Sequence, residues 1–493
     1  MGLTELSILL PVLMVFGPLL LALLVFLAQW QRSADWLGMG LGLILLALLT
    51  PFSGAVLLEG PLEMQLGGHD RGLAIPFYVD GLTLAMLWLN TLLFLFIQVY
   101  AGAWLQLKQP APAAEFRPLF LLLWSGLNAL FLSGDLFNLY VTLEITTLAA
   151  VPLVILSHGH AAMAAAMRYL LFALVGSIIF LLGVALVYAQ AGLLSLPLLQ
   201  EQAEPHPALT VALLAMTAGV AMKAALFPVH AWLPEAHASA PSPASALLSA
   251  LVAKAAAYLI LRLWMGPLEA QWTPAMAQLM GALGAAGIIY ASIQALRQTR
   301  LKRVIAYSTV AQLGYLLLLI PMASVLAWNG VIYHALTHGL AKAALFLAAG
   351  NLIMVLRDDS LRNLAGCDRV LSKNILVIGL AGVAIAGLPP TGGFIAKWWL
   401  ISAALESGQW WWAVVIGLGG LLAAAYIFRI LSYAFFSPDP HQETPIHQAQ
   451  GQLTRALVWP PVILAFLAIA LGMAGGLLAP FLEIAAPVTG AQA

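Results

Sequence analysis

The stretch KAALFPVHAWLPEAHASAPSPASALLSALVAK (Lys223–Lys254) begins and ends on a lysine, and each lysine sits in an apolar run long enough to cross a bilayer. An ammonium group at the centre of a crossing costs roughly 2.5–3.5 kcal/mol on insertion scales. A proline inside a helix blocks one hydrogen bond and frees a carbonyl, and Pro228 and Pro234 do so here. Lipid tolerates such breaks only where the backbone is buried in protein or lines a wet cavity. The stretch therefore reads as a broken transmembrane helix turning into a second helix, with the chemistry carried on the helices themselves.

The rest of the chain agrees. Of its 493 residues 62% are hydrophobic and 8% charged, against about a quarter charged in soluble domains. Apolar runs recur near 7–30, 36–58, 79–103, 117–133, 136–157, 165–190, 208–230, 243–264, 274–296, 303–321, 325–355, 374–404, 411–436 and 456–480, about fourteen in all. This is the pattern of an all-α polytopic membrane protein. The connections at 59–78, 358–373 and 437–455 read as polar connectors, so residues 1–493 are expected to form a single membrane domain. MGLTEL carries an acid and no basic stretch, and the first run is expected to be a retained helix.

Basic residues gather in the connections after odd-numbered crossings: Arg32, Lys108, Arg117, Arg168, Arg297, Arg300, Lys302, Arg303, Arg357, Arg362, Arg369, Lys373 and Arg455, against little more than Arg71 on the other side. The positive-inside rule puts those loops in the cytoplasm and both termini outside. The single cysteine, Cys367, excludes an iron–sulfur or thiolate–zinc site built by this chain alone. No glycine-rich nucleotide fingerprint is present, so no cofactor is expected, and nothing points to nucleic acid.

A second break mirrors the first. GLPPTGGFIAK (387–397) sets Pro389, Pro390, Gly392 and Gly393 just before Lys397 in the twelfth run. Paired broken helices of this sort occur in ion transporters.

Of 20 basic and 20 acidic side chains, five fall well inside crossings: Glu144, Lys223, Lys254, Lys342 and Lys397. Snorkelling or a static Glu144–Lys223 pair explains one or two of them but not all five. Burial disfavours a charge and a nearby carboxylate restores it, so a buried lysine with a movable carboxylate partner is a switchable proton site. In YHALTHGLAKAALFLAAG (333–350), His334, His338 and Lys342 are four apart. They share one helix face and cover about 12 Å, a piece of a proton wire. His230 and His237 flank Pro234, either lining the cytoplasmic mouth with Glu235 or serving the broken backbone. Asp80 and Asp135 read as helix N-caps, and the tryptophans at 410–412 as an interfacial belt.

FPVHAWLPEAHASAPSPASALLSALVAK (227–254), LKRVIAYSTVAQLGYL (301–316), HALTHGLAKAALFLAAG (334–350) and GLPPTGGFIAKWW (387–399) resemble the signature stretches of the antiporter-like subunits of respiratory complex I, Mrp-type Na+/H+ antiporters and membrane-bound hydrogenases. GDLFNLYVTLEITTLAAVPLVIL (134–156) resembles the Mrp D subunit and its hydrogenase relatives more than the complex I chains. The resemblance implies fourteen helices: three N-terminal ones (1–105), two inverted five-helix repeats (117–264 and 274–436) with discontinuous helices 7 and 12, and a last helix at 456–480. It also implies a proton axis through Glu144, Lys223, Lys254, His338, Lys342 and Lys397. Glu235 and Ser242 stand where the family usually has aspartate and threonine.

The expectation is a proton-translocating subunit of a multisubunit cation/proton antiporter of Mrp type in a bacterial-type inner membrane, with no redox site of its own. Its partners would be other membrane subunits, including a second antiporter-like chain, with Na+ or K+ handled by the whole complex. The alternatives are the equivalent channel of a redox-driven or inorganic-carbon-uptake complex, a stand-alone solute transporter, and an inert scaffold.

Overall fold

The computed structural model describes residues 3–28, 31–66, 75–107, 113–157, 159–436, 453–484 and 486. Lys108 and Arg71, and most of the 437–455 connector, lie outside the described residues. In chain order the helices are α1 (Leu3–Ala28), α2 (Gln31–Glu59), α3 (Gly81–Leu107), α4 (Ala113–Leu132), α5 (Leu136–Ile155), α6 (His160–Ala191), α7 (Leu196–Gln202), α8 (Pro207–Lys223), α9 (Trp232–Ser239), α10 (Ser242–Leu247), α11 (Ala253–Trp264), α12 (Pro274–Arg297), α13 (Leu301–Leu317), α14 (Leu319–Met322), α15 (Val325–Leu356), α16 (Cys367–Val370), α17 (Ser372–Ala386), α18 (Gly392–Glu406), α19 (Trp410–Phe435) and α20 (Arg455–Leu482). Twelve helices among the described residues are long and apolar enough to cross a membrane, α10 and α11 counting as one through the π-helical turn Leu248–Val252 and α13 and α14 as one over Leu301–Met322. The two remaining expected crossings are each assembled from shorter pieces, α8 with α9 and α17 with α18.

The 59–78 segment is more than the polar connector expected. Strands β1 (Leu62–Leu66) and β2 (Ile75–Val79) pair antiparallel, Leu62 opposite Val79 and Leu66 opposite Ile75. The hairpin holds one face of the bundle together: Gly134 N–H donates to Pro76 O at 2.9 Å, Leu196 N–H to Gly134 O at 2.8 Å, and Gly81 N–H to Ile484 O at 3.1 Å. On the opposite, basic face the connections after the ninth and eleventh crossings meet through Leu301 N–H on Asp359 O at 2.7 Å and the Arg300–Asp359 ion pair at 2.8 Å.

Both breaks follow from the local sequence. The seventh crossing was expected to run on to residue 230, but α8 stops at Lys223. Pro228 cannot donate to the preceding turn and pushes Phe227 out of helical geometry, and Ala225 takes a left-handed φ of 52°. In the twelfth, Gly387 adopts φ 79° as the left-handed cap of α17, and Thr391 restarts the helix by accepting from Phe394 N–H at 3.2 Å.

Other readings are adjusted. Asp135 is the N-cap expected, accepting from Asn138 N–H at 2.8 Å. Asp80 caps α3 through Thr83 N–H at 2.9 Å, but it also accepts two bonds from the buried guanidinium of Arg262. That pair was missing from the five intramembrane charges because Arg262 sits in the last turn of its crossing. Of the tryptophan belt, Trp410 and Trp411 are exposed, whereas Trp412 is buried and donates to Gln409 Oε1 at 2.9 Å.

α6 and α8 approach through glycine. A Cβ on Gly219 would lie 2.3 Å from Gly176 O, and one on Gly176 would lie 2.5 Å from Gly219 O. Gly219 is one helical turn before Lys223, so this contact sets where the lysine stands. Gly219→Val is expected to cost about 1–3 kcal/mol by overpacking and to lower the amount of folded chain recovered from membranes. Gly54→Val, where a Cβ meets nothing within 4 Å, is the matched control in the same quantitative blot.

Candidate functional site

Glu144 and Lys223 meet as expected. Lys223, at the broken end of α8, donates from Nζ to Glu144 Oε1 at 2.6 Å and to Thr147 Oγ1 at 3.1 Å. Thr147 lies three residues after Glu144, on the same face of α5. Ser177 of α6 donates to the same carboxylate oxygen. The lysine is 5% exposed and the carboxylate 21%, so the pair is anchored inside the bundle and open on its acidic side.

The other three lysines have no carboxylate partner among the described residues and rest on oxygens of neutral groups. Lys254 donates to Ser249 O at 3.0 Å, across the π turn that offsets that carbonyl from the regular ladder. Lys342 donates to Ile305 O at 2.6 Å and to Ser308 Oγ. Lys397 donates to Ile385 O at 2.8 Å and Ala386 O at 3.0 Å, the last carbonyls of α17, where the helix dipole favours a cation. A carboxylate would fix each amine as an ammonium ion. A carbonyl accepts a hydrogen from either the charged or the neutral form, so these sites can hold a lysine in both states.

His334, His338 and Lys342 lie along α15, and the two imidazoles stack with centroids 5.6 Å apart. His334 Nε2 bonds Gln312 O at 3.1 Å; the carbonyl only accepts, so Nε2 carries the hydrogen. Tyr315 links this pair to the twelfth crossing: its ring centroid is 5.0 Å from that of His334, and the Lys397 ammonium lies 4.8 Å from it. The line thus runs Lys397, Tyr315, His334, His338 through side-chain contacts. No hydrogen bond among the described residues joins Lys223 directly to Lys254.

The break residues divide into two groups. Pro389 and Pro390 form the turn between α17 and α18, and Gly392 and Gly393 open α18 against α17, where a Cβ on Gly393 would overlap Ala384 O. Around the first break, Pro228 lies in the unwound stretch, and His230 packs against Phe227 and Tyr290 with centroids 5.8 and 5.3 Å away. Pro234 is inside α9, Glu235 pairs with Arg303 at 2.9 Å, and His237 is fully buried against Phe346.

Sequence reasoning missed the wall facing this line. Ser308, Gln312 and Tyr315 of α13 contact Lys342, His334 and Lys397, and Thr309 Oγ1 lies 2.8 Å from Ser249 Oγ beside Lys254. The signal was available: 308, 312 and 315 are spaced as one helix face within the crossing at 303–321.

A family model described as NADH:quinone oxidoreductase/Mrp antiporter, TM, matches residues 133–423, which include every residue of the line from Glu144 to Lys397. NADH-quinone oxidoreductase subunit N of Desulforudis audaxviator is 34% identical over 489 residues, covering 94% of this chain and 95% of that one. The D subunit of the Na(+)/H(+) antiporter of Bacillus subtilis is 26% identical over 490 residues, covering 97% and 96%. Among solved structures, a chain of the Mrp complex from Dietzia sp. matches with a TM-score of 0.87 at 27% identity, over 98% of this chain and 97% of that one. The chain belongs to the NADH:quinone oxidoreductase/Mrp antiporter transmembrane family, as an antiporter-like subunit of the kind found in Mrp and complex I-like complexes.

Proposed function

We propose that this chain is the proton-translocating subunit of a multisubunit cation/proton antiporter of Mrp type. It would lie in the inner membrane with its basic face in the cytoplasm and both termini outside. The observation that carries the reading is the 2.6 Å Lys223–Glu144 pair at the broken end of α8, continued by lysines held on neutral oxygens. Lys223 is the switch: with Glu144 close its proton is held, and with Glu144 withdrawn it is released. Lys254, His334, His338 and Lys342 relay the proton, and Lys397 is the terminal site toward the outside. The two five-helix units would each contribute one broken helix. Full-length similarity to the Bacillus subtilis antiporter protein and to a chain of an Mrp complex supports the host.

A second reading has its own support. The 34% identity to an NADH-quinone oxidoreductase chain favours a redox-driven host in which the same line is harnessed to electron transfer elsewhere. Mass spectrometry of what co-purifies in mild detergent separates the two. Only small membrane subunits and a second antiporter-like chain are expected; recovery of soluble redox subunits would move the chain to the second reading.

Lys223→Ala is expected to lower cation-driven proton movement in inverted vesicles on the order of a hundredfold with the complex still assembled, and full transport by this variant would sink the proposal. Glu144→Gln keeps an acceptor for Lys223 and removes the charge. Transport should slow about tenfold while the amount of complex on a native gel stays unchanged; an unaltered rate would remove Glu144 from the switch.

A further inference from the structure

An apolar slot of about 370 Å³ lies between α2, α3, α15 and α20, apart from the charged line. Its floor runs along α3 from Gly81 to Leu92. Its walls are α2 at Thr50 and Ser53 and α20 from Leu471 to Leu482, and Leu336 and Leu340 of α15 close the back. At the hairpin end α20 closes onto α3, where a Cβ on Gly81 would lie 3.0 Å from Leu482 O. α2 and α20 each pack on α3, and the slot opens sideways between them, where Thr50 is exposed. The rims of that opening carry exposed Leu57 and Leu58 on α2 and exposed Met473 and Leu477 on α20. The mouth therefore faces the bilayer and not water.

The walls offer a polar ligand nothing to bond. No charged side chain lines the slot, and its few polar groups are already engaged. Trp88 Nε1 donates to Ser53 Oγ at 2.9 Å, Ser53 Oγ to Leu49 O at 2.8 Å, and Thr50 Oγ1 to Leu46 O at 3.5 Å. Water inside would find no unmet partner, and a void would forfeit the dispersion contacts of its lining.

Dimensions choose among apolar occupants. From Gly81 to Leu92, and again from Leu471 to Leu482, the helices rise about 16 Å. That is the depth of one leaflet of a hydrocarbon core about 30 Å thick. Spread over that length, 370 Å³ gives a mean section of about 20 Å². A helix with its side chains is about 10–12 Å across and does not fit, whereas one extended hydrocarbon chain does.

We propose that this slot is a binding site for one acyl chain of a membrane phospholipid, drawn from the leaflet on the hairpin's side. Leu336 and Leu340 stand two residues to either side of His338, on the opposite face of α15. Leu89 packs on the next residue, where a Cβ on Gly339 would lie 2.9 Å from Leu89 Cδ2. The bound chain thus backs the turn of α15 that carries His338. The inference rests on the membrane-spanning fold and holds whichever host complex or ion the charged line serves.

The test is electron cryo-microscopy of the whole host complex in nanodiscs made from a phospholipid with a dibrominated stearoyl chain. One bromine-marked chain is expected along α3, between the levels of Leu92 and Gly81. Water peaks or an empty slot would overturn the site, and so would a partner segment lying in it. An unbrominated prenyl chain leading to a ring would overturn the phospholipid as occupant. Ala85→Phe puts a ring into the slot and should remove its bromine signal at equal assembly, while bromines elsewhere on the lipid-facing surface remain. Bromines that persist in the slot of this variant would mark ordinary surface lipid and overturn the site. Should Ala85→Phe fail to assemble, Leu478→Phe narrows the slot from the α20 wall and is read in the same way.

Discussion

An ammonium ion in hydrocarbon must find oxygen, and in this bundle most of that oxygen comes from irregular or terminal backbone. Lys397 rests on the last two carbonyls of α17, Lys254 on the carbonyl offset by the π turn, and Lys302 on the corner carbonyl of Ala240. The dependence runs both ways. A proline or glycine that breaks a helix leaves an acceptor without a partner, and a buried amine supplies the donor. At Lys397, Lys254 and Lys302 the irregular backbone and the amine therefore stabilise each other. Two sites differ: Lys342 rests on Ile305 O and Ser308 Oγ within the regular helix α13, and the Glu144–Lys223 pair, a charge met by a charge, stands where α8 ends.

The crossings were legible because a bilayer imposes length and composition together, and each of the fourteen apolar runs corresponds to a helix or a helix pair. The breaks were legible from proline, although the first begins at Lys223, since the restraint of Pro228 acts on the residues preceding it. The hairpin at Leu62–Val79 was not, because its strands are five residues each and only the first, LEMQL, alternates apolar and polar, while the second, IPFYV, carries a proline and no alternation.

At the site, charge made Glu144 and the four lysines conspicuous, and helical spacing aligned His334, His338 and Lys342. Ser308, Gln312 and Tyr315 share a helix face that the spacing showed, but hydroxyl and amide side chains are common in helix packing, and Gln312 meets His334 through its main-chain carbonyl, which no side-chain pattern announces. Lys302 was counted as a loop charge. Its position at the second residue of α13 gave no hint that the α9–α10 corner folds over it.

The π turn of the eighth crossing has a bearing on how this chain can vary. Ser249 and Lys254 are five residues apart, and a uniform α-helix would carry the second about 140° round from the first. The wider turn at Leu248–Val252 brings the lysine back onto the carbonyl it bonds. Residue count is thus as binding here as residue type. One residue inserted between the turn and Lys254 would swing the ammonium group by about 100° onto a different neighbour and carry Arg262, two turns further on, away from Asp80. Substitutions can be absorbed along this helix one at a time, whereas a change of length would displace the centre of the membrane and its far face together.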